Sequence, residues 1–92
     1  MAFLTRAQRD DLRTAILAEL VAARTVALSA EMLARRLVRT RLLSFEFDLS
    51  AVQAEIEALH ARGFVQTISD AVSDTPHYQA TSAGVLAHER AT

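Results

Sequence analysis

Cysteine is absent from the sequence, which excludes disulfide bonds and thiolate metal sites. The histidines His60, His77 and His88 are not at ligand spacing on one helix, so we expect no metal site and no cofactor. No apolar run approaches the roughly 20 residues that cross a bilayer. The first residues also lack the long apolar core of a signal peptide. The sequence therefore predicts a cytoplasmic protein with no membrane partner.

Glycine is scarce, and this scarcity bears on catalysis. Gly63 and Gly84 are the only two glycines, so the chain has no glycine-rich loop that could cradle a phosphate. It also has no nucleophile elbow and no Ser-His-Asp order. Glu57 and His60 would be neighbours on a helix, but such a pair without a third group is typical of surface residues. We predict that the protein is not an enzyme.

Lysine is also absent: all ten basic residues are arginine, and 18 residues are alanine. Both features are typical of GC-rich coding, although arginine also suits phosphate contacts. The charge is unevenly spread. Residues 1–41 carry eight arginines against four acids, a net charge of +4, and residues 42–92 carry two arginines against seven acids, a net charge of −5. A cluster of one sign favours a partner of the other.

Length and hydrophobic periodicity predict a single domain. Ninety-two residues with 51% hydrophobic side chains suffice for one core. A β-prone stretch at 25–28 separates the first two helices, and a turn-rich segment separates two strands. The sequence thus predicts an α+β fold that is mainly α. The predicted helices are 5–23, 29–39, 50–62 and 82–90, and the predicted strands are 64–69 and 77–80.

Capping signals locate the helix ends. Thr5 with Gln8 forms a capping-box pattern at the first helix, and Ser50 with Gln53 forms a second one at the third helix. Asp48 offers a competing N-cap for that third helix. Gly63 is placed to end the third helix in a left-handed conformation.

The first helix is apolar over an unusually wide arc. Leu12, Ile16 and Leu20 form a stripe at helical spacing, while Leu17 and Val21 lie off that stripe. A helix that is apolar over so wide an arc is usually covered on more than one side. In a domain of this size, we expect a second copy of the chain to supply the additional cover.

The segment that follows the second helix allows two interpretations. Leu43, Phe45 and Phe47 alternate with polar residues, which is typical of a short extended piece. A hydrophobic loop fits the same residues, and the aromatic side chains are interpreted as core packing. The sequence leaves both conformations open.

Three stretches, 29–37, 56–65 and 78–86, carry a resemblance to a known fold. In this order and spacing they resemble the second helix, the end of the recognition helix and the exit from the wing of the winged helix-turn-helix. The family includes the small PadR-type and MarR-type transcription regulators. The resemblance covers nearly the whole chain. It implies a three-helix core, a two-stranded wing and a short C-terminal helix.

The resemblance also implies a DNA-binding regulator whose third helix enters the major groove of double-stranded DNA and whose wing touches the backbone. Arginine contacts to phosphate and donors at base edges would supply the affinity and the specificity. Alternatively the arginine cluster is a solvated face, with Arg35 paired to Glu31. The predicted nucleic-acid-binding residues are Arg35, Arg36, Arg39, Arg41, Gln53, His60 and Arg62.

Other residues favour a protein partner instead. Glu55 and Glu57 flank an alanine face on the third helix, and the wing contains Asp70 and Asp74 without any basic residue. Alanines permit close approach of another helix, although they also suit an ordinary solvent-exposed helix surface. The second hypothesis is therefore a winged-helix module that binds protein, either a second copy or a larger assembly. Its predicted interface residues are Leu17, Val21, Ala51, Ala54, Ala58 and Ala61.

Overall fold

Four helices and one two-stranded antiparallel sheet form the protein, as described by a computed structural model for residues 3–69, 72 and 74–91. The predicted fold class, α+β and mainly α, is confirmed, and the predicted ends of the elements differ from the observed ends by at most one residue. Within the described residues, no helix combines the length and apolar character needed to span a bilayer. The elements are α1 (Arg6–Ala23), α2 (Ala30–Thr40), α3 (Leu49–Ala61), β1 (Val65–Ile68), β2 (His77–Ala80) and α4 (Ser82–Ala91).

Hydroxyl side chains cap the first two helices, and the cap of the first is the predicted one. The Thr5 hydroxyl accepts a hydrogen bond from the backbone N–H of Gln8 at 3.1 Å, and the Gln8 side-chain oxygen accepts one from the backbone N–H of Thr5 at 2.9 Å. This reciprocal pair confirms the capping box of α1. The Ser29 hydroxyl accepts from the backbone N–H of Met32 at 3.2 Å and caps α2.

The third helix uses the competing cap. The Asp48 carboxylate accepts a hydrogen bond from the backbone N–H of Ala51 at 2.8 Å, and the helix begins at Leu49. The predicted capping box of Ser50 with Gln53 is therefore wrong, because Ser50 lies inside the first helical turn. A carboxylate forms the stronger, charge-assisted bond and is favoured by the helix dipole. Gly63 has φ of +77° and ends the segment in the predicted left-handed conformation.

This difference predicts unequal effects of two substitutions. Asp48→Ala should lower the free energy of unfolding by about 1 kcal/mol, because the first turn of α3 loses its acceptor. Ser50→Ala, its control, should change it by less than about 0.5 kcal/mol. Urea denaturation of both variants measures the difference. A larger loss of stability in Ser50→Ala than in Asp48→Ala would show that Ser50, and not Asp48, caps α3.

Helix α1 lies at the centre of the core. It contacts α2, α3, α4 and β2. These neighbours cover its whole apolar arc, and Leu17 and Val21 are only 7% and 8% exposed. The expectation that a second copy covers these two side chains is therefore wrong, since the chain covers them itself. The fully buried large side chains of the core are Leu12, Ile16, Leu20, Leu33, Leu37, Val52, Ile56 and Leu59.

The wing is a two-stranded sheet that is hydrogen-bonded to the connection between α1 and α2. Strand β1 pairs with β2 from Val65 opposite Ala80 to Ile68 opposite His77. The β-prone stretch before α2 adds one bridge, in which Leu28 and Tyr78 exchange backbone hydrogen bonds of 2.9 and 2.8 Å. This bridge fixes the position of β2 relative to the connection between α1 and α2.

The segment between α2 and α3 is a loop, which decides between the two conformations that the sequence left open. Arg41 begins it with φ of +54°, a left-handed residue that ends α2. Phe45 and Phe47 are half-buried against the core and pack edge to face, with ring centroids 6.5 Å apart. The loop carries the chain from the end of α2 to the start of α3.

Candidate nucleic-acid interface

The solvent-exposed face of α3 is the surface that a recognition helix would present. Val52, Ile56 and Leu59 point into the core, and the predicted base-reading residues Gln53 and His60 are exposed. Gln53 lies seven residues before His60, which places both side chains on one side of the helix, two turns apart. The full set of exposed α3 residues is Leu49, Ser50, Gln53, Ala54, Glu57, His60 and Ala61.

The exposed face of α3 is less acidic than the sequence predicts, because Glu55 is buried. Its side chain was expected to face outward, but the residue is only 5% exposed. Oε1 of Glu55 accepts a hydrogen bond from Nε of Arg13 at 3.0 Å, and it forms an ion pair with Nη2 of Arg13 at 2.9 Å. Arg13 also lies 3.5 Å from the carboxylate of Asp10. Of the two acids within α3, only Glu57 therefore faces solvent.

The spacing of Glu55 contained a signal for this burial. Glu55 lies three residues after Val52 and four before Leu59, so it belongs to the apolar face rather than to its flank. A carboxylate on a buried face needs a cation, and Arg13 on α1 supplies it. The pair connects α3 to the central helix α1.

Three of the predicted arginines surround one cavity of about 580 Å³ between α2 and the start of α3. Arg35 and Arg39 are exposed one turn apart on α2, and Arg41 follows at its end. Among the residues that the structure describes, none of the three forms an ion pair, so the alternative pairing of Arg35 with Glu31 is not formed. We call this cavity the α2–α3 groove; its lining residues are Ala34, Arg35, Val38, Arg39, Arg41, Phe47, Asp48 and Leu49.

Arg36 and Arg62 do not line the groove. The guanidinium of Arg36 is 3.8 Å from the carboxylate of Glu19 on α1. Arg62 caps the C-terminal end of α3 and lines a second cavity of about 540 Å³ beside the first turns of α1. That cavity is polar, and its other arginines are Arg6, Arg9 and Arg13. The seven predicted residues thus occupy the groove, the exposed face of α3, the α1–α2 contact and this second basic cavity.

The alanine face is rotated from its expected position. Ala54 and Ala61 are exposed, but Ala51 and Ala58 are half-buried, and Ala51 packs against the core. The reason is that α1 covers this flank of α3, on the same side as Glu55. Only two of the four alanines are therefore fully accessible to a partner.

The wing tip is only partly described. Asp70, one of its two predicted acids, lies outside the described residues. Asp74 is exposed, as is Val72, and no basic residue occurs in the sequence from 69 to 76. Among the described residues, no group of three or more His, Asp or Glu side chains is arranged to bind a metal ion. Among the described residues, the cations beside the start of α3 are the arginines of the groove and Arg9, which lines a cavity of about 260 Å³ with Ser50 and Ala54.

Solved structures share this architecture, although no protein-family model and no curated protein matches the sequence. A transcriptional regulator from Clostridium thermocellum, Cth-833, superposes with a TM-score of 0.77 over 98% of this chain and 84% of its own, at 11% identity. The PerR-Zn-Zn structure from GAS superposes with a TM-score of 0.57 over 85% of this chain and 44% of its own, at 19% identity. At such identities the similarity shows the fold, and the protein has the winged helix-turn-helix fold that the sequence predicted.

Proposed function

We propose that this protein is a DNA-binding transcriptional regulator and not an enzyme. Its α3 would lie in the major groove, with Gln53 and His60 towards base edges and with Arg35, Arg39 and Arg41 on the adjoining phosphates. The observation that carries the proposal is the placement of three arginines, without acidic partners in the described residues, beside the start of α3. The fold shared with solved transcriptional regulators supports it.

Two structural corrections favour this proposal. The burial of Glu55 removes one of the two acids that the sequence placed against phosphate, so the exposed face of α3 is less repulsive to DNA. The burial of Leu17 and Val21 removes two of the residues on which the protein-interaction hypothesis rested. Ala54 and Ala61 still allow a partner to approach α3, and a homodimer stays a prediction.

The salt dependence of duplex binding tests the proposal. We expect a fluorescent mixed-sequence duplex to bind at low salt and to dissociate as salt rises. The log–log slope should be about −0.9 for each phosphate that the protein neutralises. Replacing Arg35, Arg39 and Arg41 together with alanine should weaken binding to all sequences and reduce the magnitude of the slope by about 2.7, or 0.9 for each lost contact.

Arg36→Ala is the matched control, because Arg36 lies on the same helix but its guanidinium is beside Glu19. It should leave the slope nearly unchanged. An unaltered slope in the triple variant would reject the groove arginines as phosphate contacts. If the native protein fails to bind duplex at micromolar concentration and low salt, the second function, a winged-helix module that binds protein, takes its place.

A further inference from the structure

The α2–α3 groove contains more apolar surface than contacts with phosphate would use. Val38 is 66% exposed and Leu49 is 37% exposed, and both side chains line the groove. A further cavity of about 570 Å³, distinct from the basic cavity beside α1, adjoins the groove and shares Val38, Arg41 and Phe47 with it. The apolar surface is therefore continuous from the end of α2 through the loop to α3. Contiguous apolar surface of this kind marks an interaction site more often than single exposed residues do.

Positive charge lies beside this apolar surface. Arg35 and Arg39 are one helical turn apart, and Arg41 begins the loop. Asp48 is the only acid lining the groove within the described chain, and its carboxylate already accepts from the first turn of α3. Glu46 lines the adjoining cavity. Three arginines against one acid leave the groove positive.

Contacts with DNA would explain the arginines of the groove but not the apolar side chains between them. Phosphate oxygens bind cations and hydrogen-bond donors, whereas Val38 and Leu49 would face a hydrated backbone without gain. A ligand that covers the whole surface needs an apolar stripe with carboxylates along its edges. Since helices and a loop form the groove, its walls present no open strand edge for an extended peptide. A helix satisfies its own backbone hydrogen bonds and can bind through side chains alone.

We propose that the α2–α3 groove binds an acidic amphipathic α-helix of a partner protein. Its apolar side chains pack on Val38 and the neighbouring floor, and its carboxylates pair with the rim arginines. The proposed function assigns the same arginines to DNA, so the partner helix and the duplex exclude each other. This regulatory consequence rests on the proposed function, whereas binding of the helix does not. The contacted residues are Val38, Phe47 and Leu49 on the floor and Arg35, Arg39 and Arg41 on the rim.

A designed peptide tests the groove without knowledge of the partner. The probe is a fluorescein-labelled helix with leucines at i, i+3, i+4 and i+7 and glutamates on both flanks. A peptide of identical composition and shuffled order keeps the charge and loses the stripe. Fluorescence anisotropy should show saturable binding of the first peptide, with the shuffled peptide about tenfold weaker or more. Equal affinity for both would show attraction of charge alone and overturn the proposal, as would no binding of either.

Substitutions locate the binding surface. Val38→Glu and Arg39→Glu should each weaken the amphipathic peptide by about tenfold or more, through a lost apolar contact or a reversed charge. Val26→Glu is the matched control, because Val26 is 57% exposed and lies outside the groove. Circular dichroism and melting curves check that each variant is folded. Unchanged affinity in Val38→Glu would overturn the proposal, and so would a native dimer in light scattering that the same substitution dissociates.

Competition separates this inference from the proposed function. Unlabelled duplex should displace the labelled peptide, and the peptide should displace labelled duplex. Duplex binding without peptide binding would refute the groove proposal and leave the DNA-binding function. Peptide binding without duplex binding would refute the DNA-binding function and the exclusion, and would leave the groove as a protein-binding site.

Discussion

Replacing Gly84 with alanine should destabilise the protein by about 3 kcal/mol or more, at the upper end of what overpacking costs. A Cβ atom at this position would lie 3.0 Å from the carbonyl carbon of Phe64 and closer still to its oxygen. That carbonyl cannot move aside freely, because its oxygen accepts the backbone N–H of Thr81 at 3.0 Å. Helix α4 would have to move away from Phe64, and its packing against α1 and β2 would be lost.

Thermal denaturation measures this effect. The melting temperature should fall by roughly 12–24 °C for a loss of about 3 kcal/mol, given about 4–8 °C per kcal/mol for a domain of this size. The sign of the change in stability is informative, since helix propensity alone predicts that Gly84→Ala stabilises the protein. Gly63→Ala is the matched control. A Cβ atom at Gly63 would meet no atom within 4 Å, and only the φ of +77° makes this substitution strained. Its cost should be about 1 kcal/mol. A Gly84→Ala variant as stable as the native protein would refute the close approach of α4 to Phe64.

The second large effect concerns the ion pair between α1 and α3. Arg13→Ala should lower the free energy of unfolding by about 3 kcal/mol, because it leaves the Glu55 carboxylate buried without its cation. The side chain of Arg13 is 20% exposed and that of Glu55 is 7% exposed, so water cannot readily replace the lost partner. Replacing both residues with leucine should be far less costly, since an apolar pair leaves no buried charge.

A double-mutant cycle over the two positions measures their coupling. The control cycle uses Arg36 and Glu19, which are 3.8 Å apart with side chains 42% and 16% exposed. That coupling should be about 0.2–1 kcal/mol, the range of solvated pairs. Equal coupling in the two cycles would contradict the role of burial. Because Glu55 lies in α3, loss of this pair should also loosen the helix that is proposed to bind DNA.

Local patterns in the sequence predicted the elements because they depend on near neighbours. The capping box of Thr5 and Gln8 spans three residues, and the left-handed stop at Gly63 needs only the absence of a Cβ atom. The order of the elements and the short connections between them then favoured one fold. The third helix shows the limit of this reasoning. Asp48 and Ser50 both match a cap, and the sequence pattern did not rank them.

The candidate surface was harder to predict, because burial depends on elements distant in sequence. Helical periodicity gives the direction of Glu55 and of Leu17 on their helices, but not which element covers that direction. Arg35 and Arg36 are adjacent in sequence, yet one lines the α2–α3 groove and the other lies beside Glu19. Their separation follows from the 100° turn between consecutive helical residues and from the position of α1.

The sequence by itself determined the class of fold, the helix and strand order, and the arginine-rich end of α2, since these follow from composition, periodicity and contacts a few residues apart. Only the tertiary structure decided that α1 is covered by its own chain, that Glu55 is paired with Arg13, and that three arginines surround an apolar groove. The physical reason is that charge and apolarity are properties of residues, whereas exposure and pairing are properties of their packed neighbours.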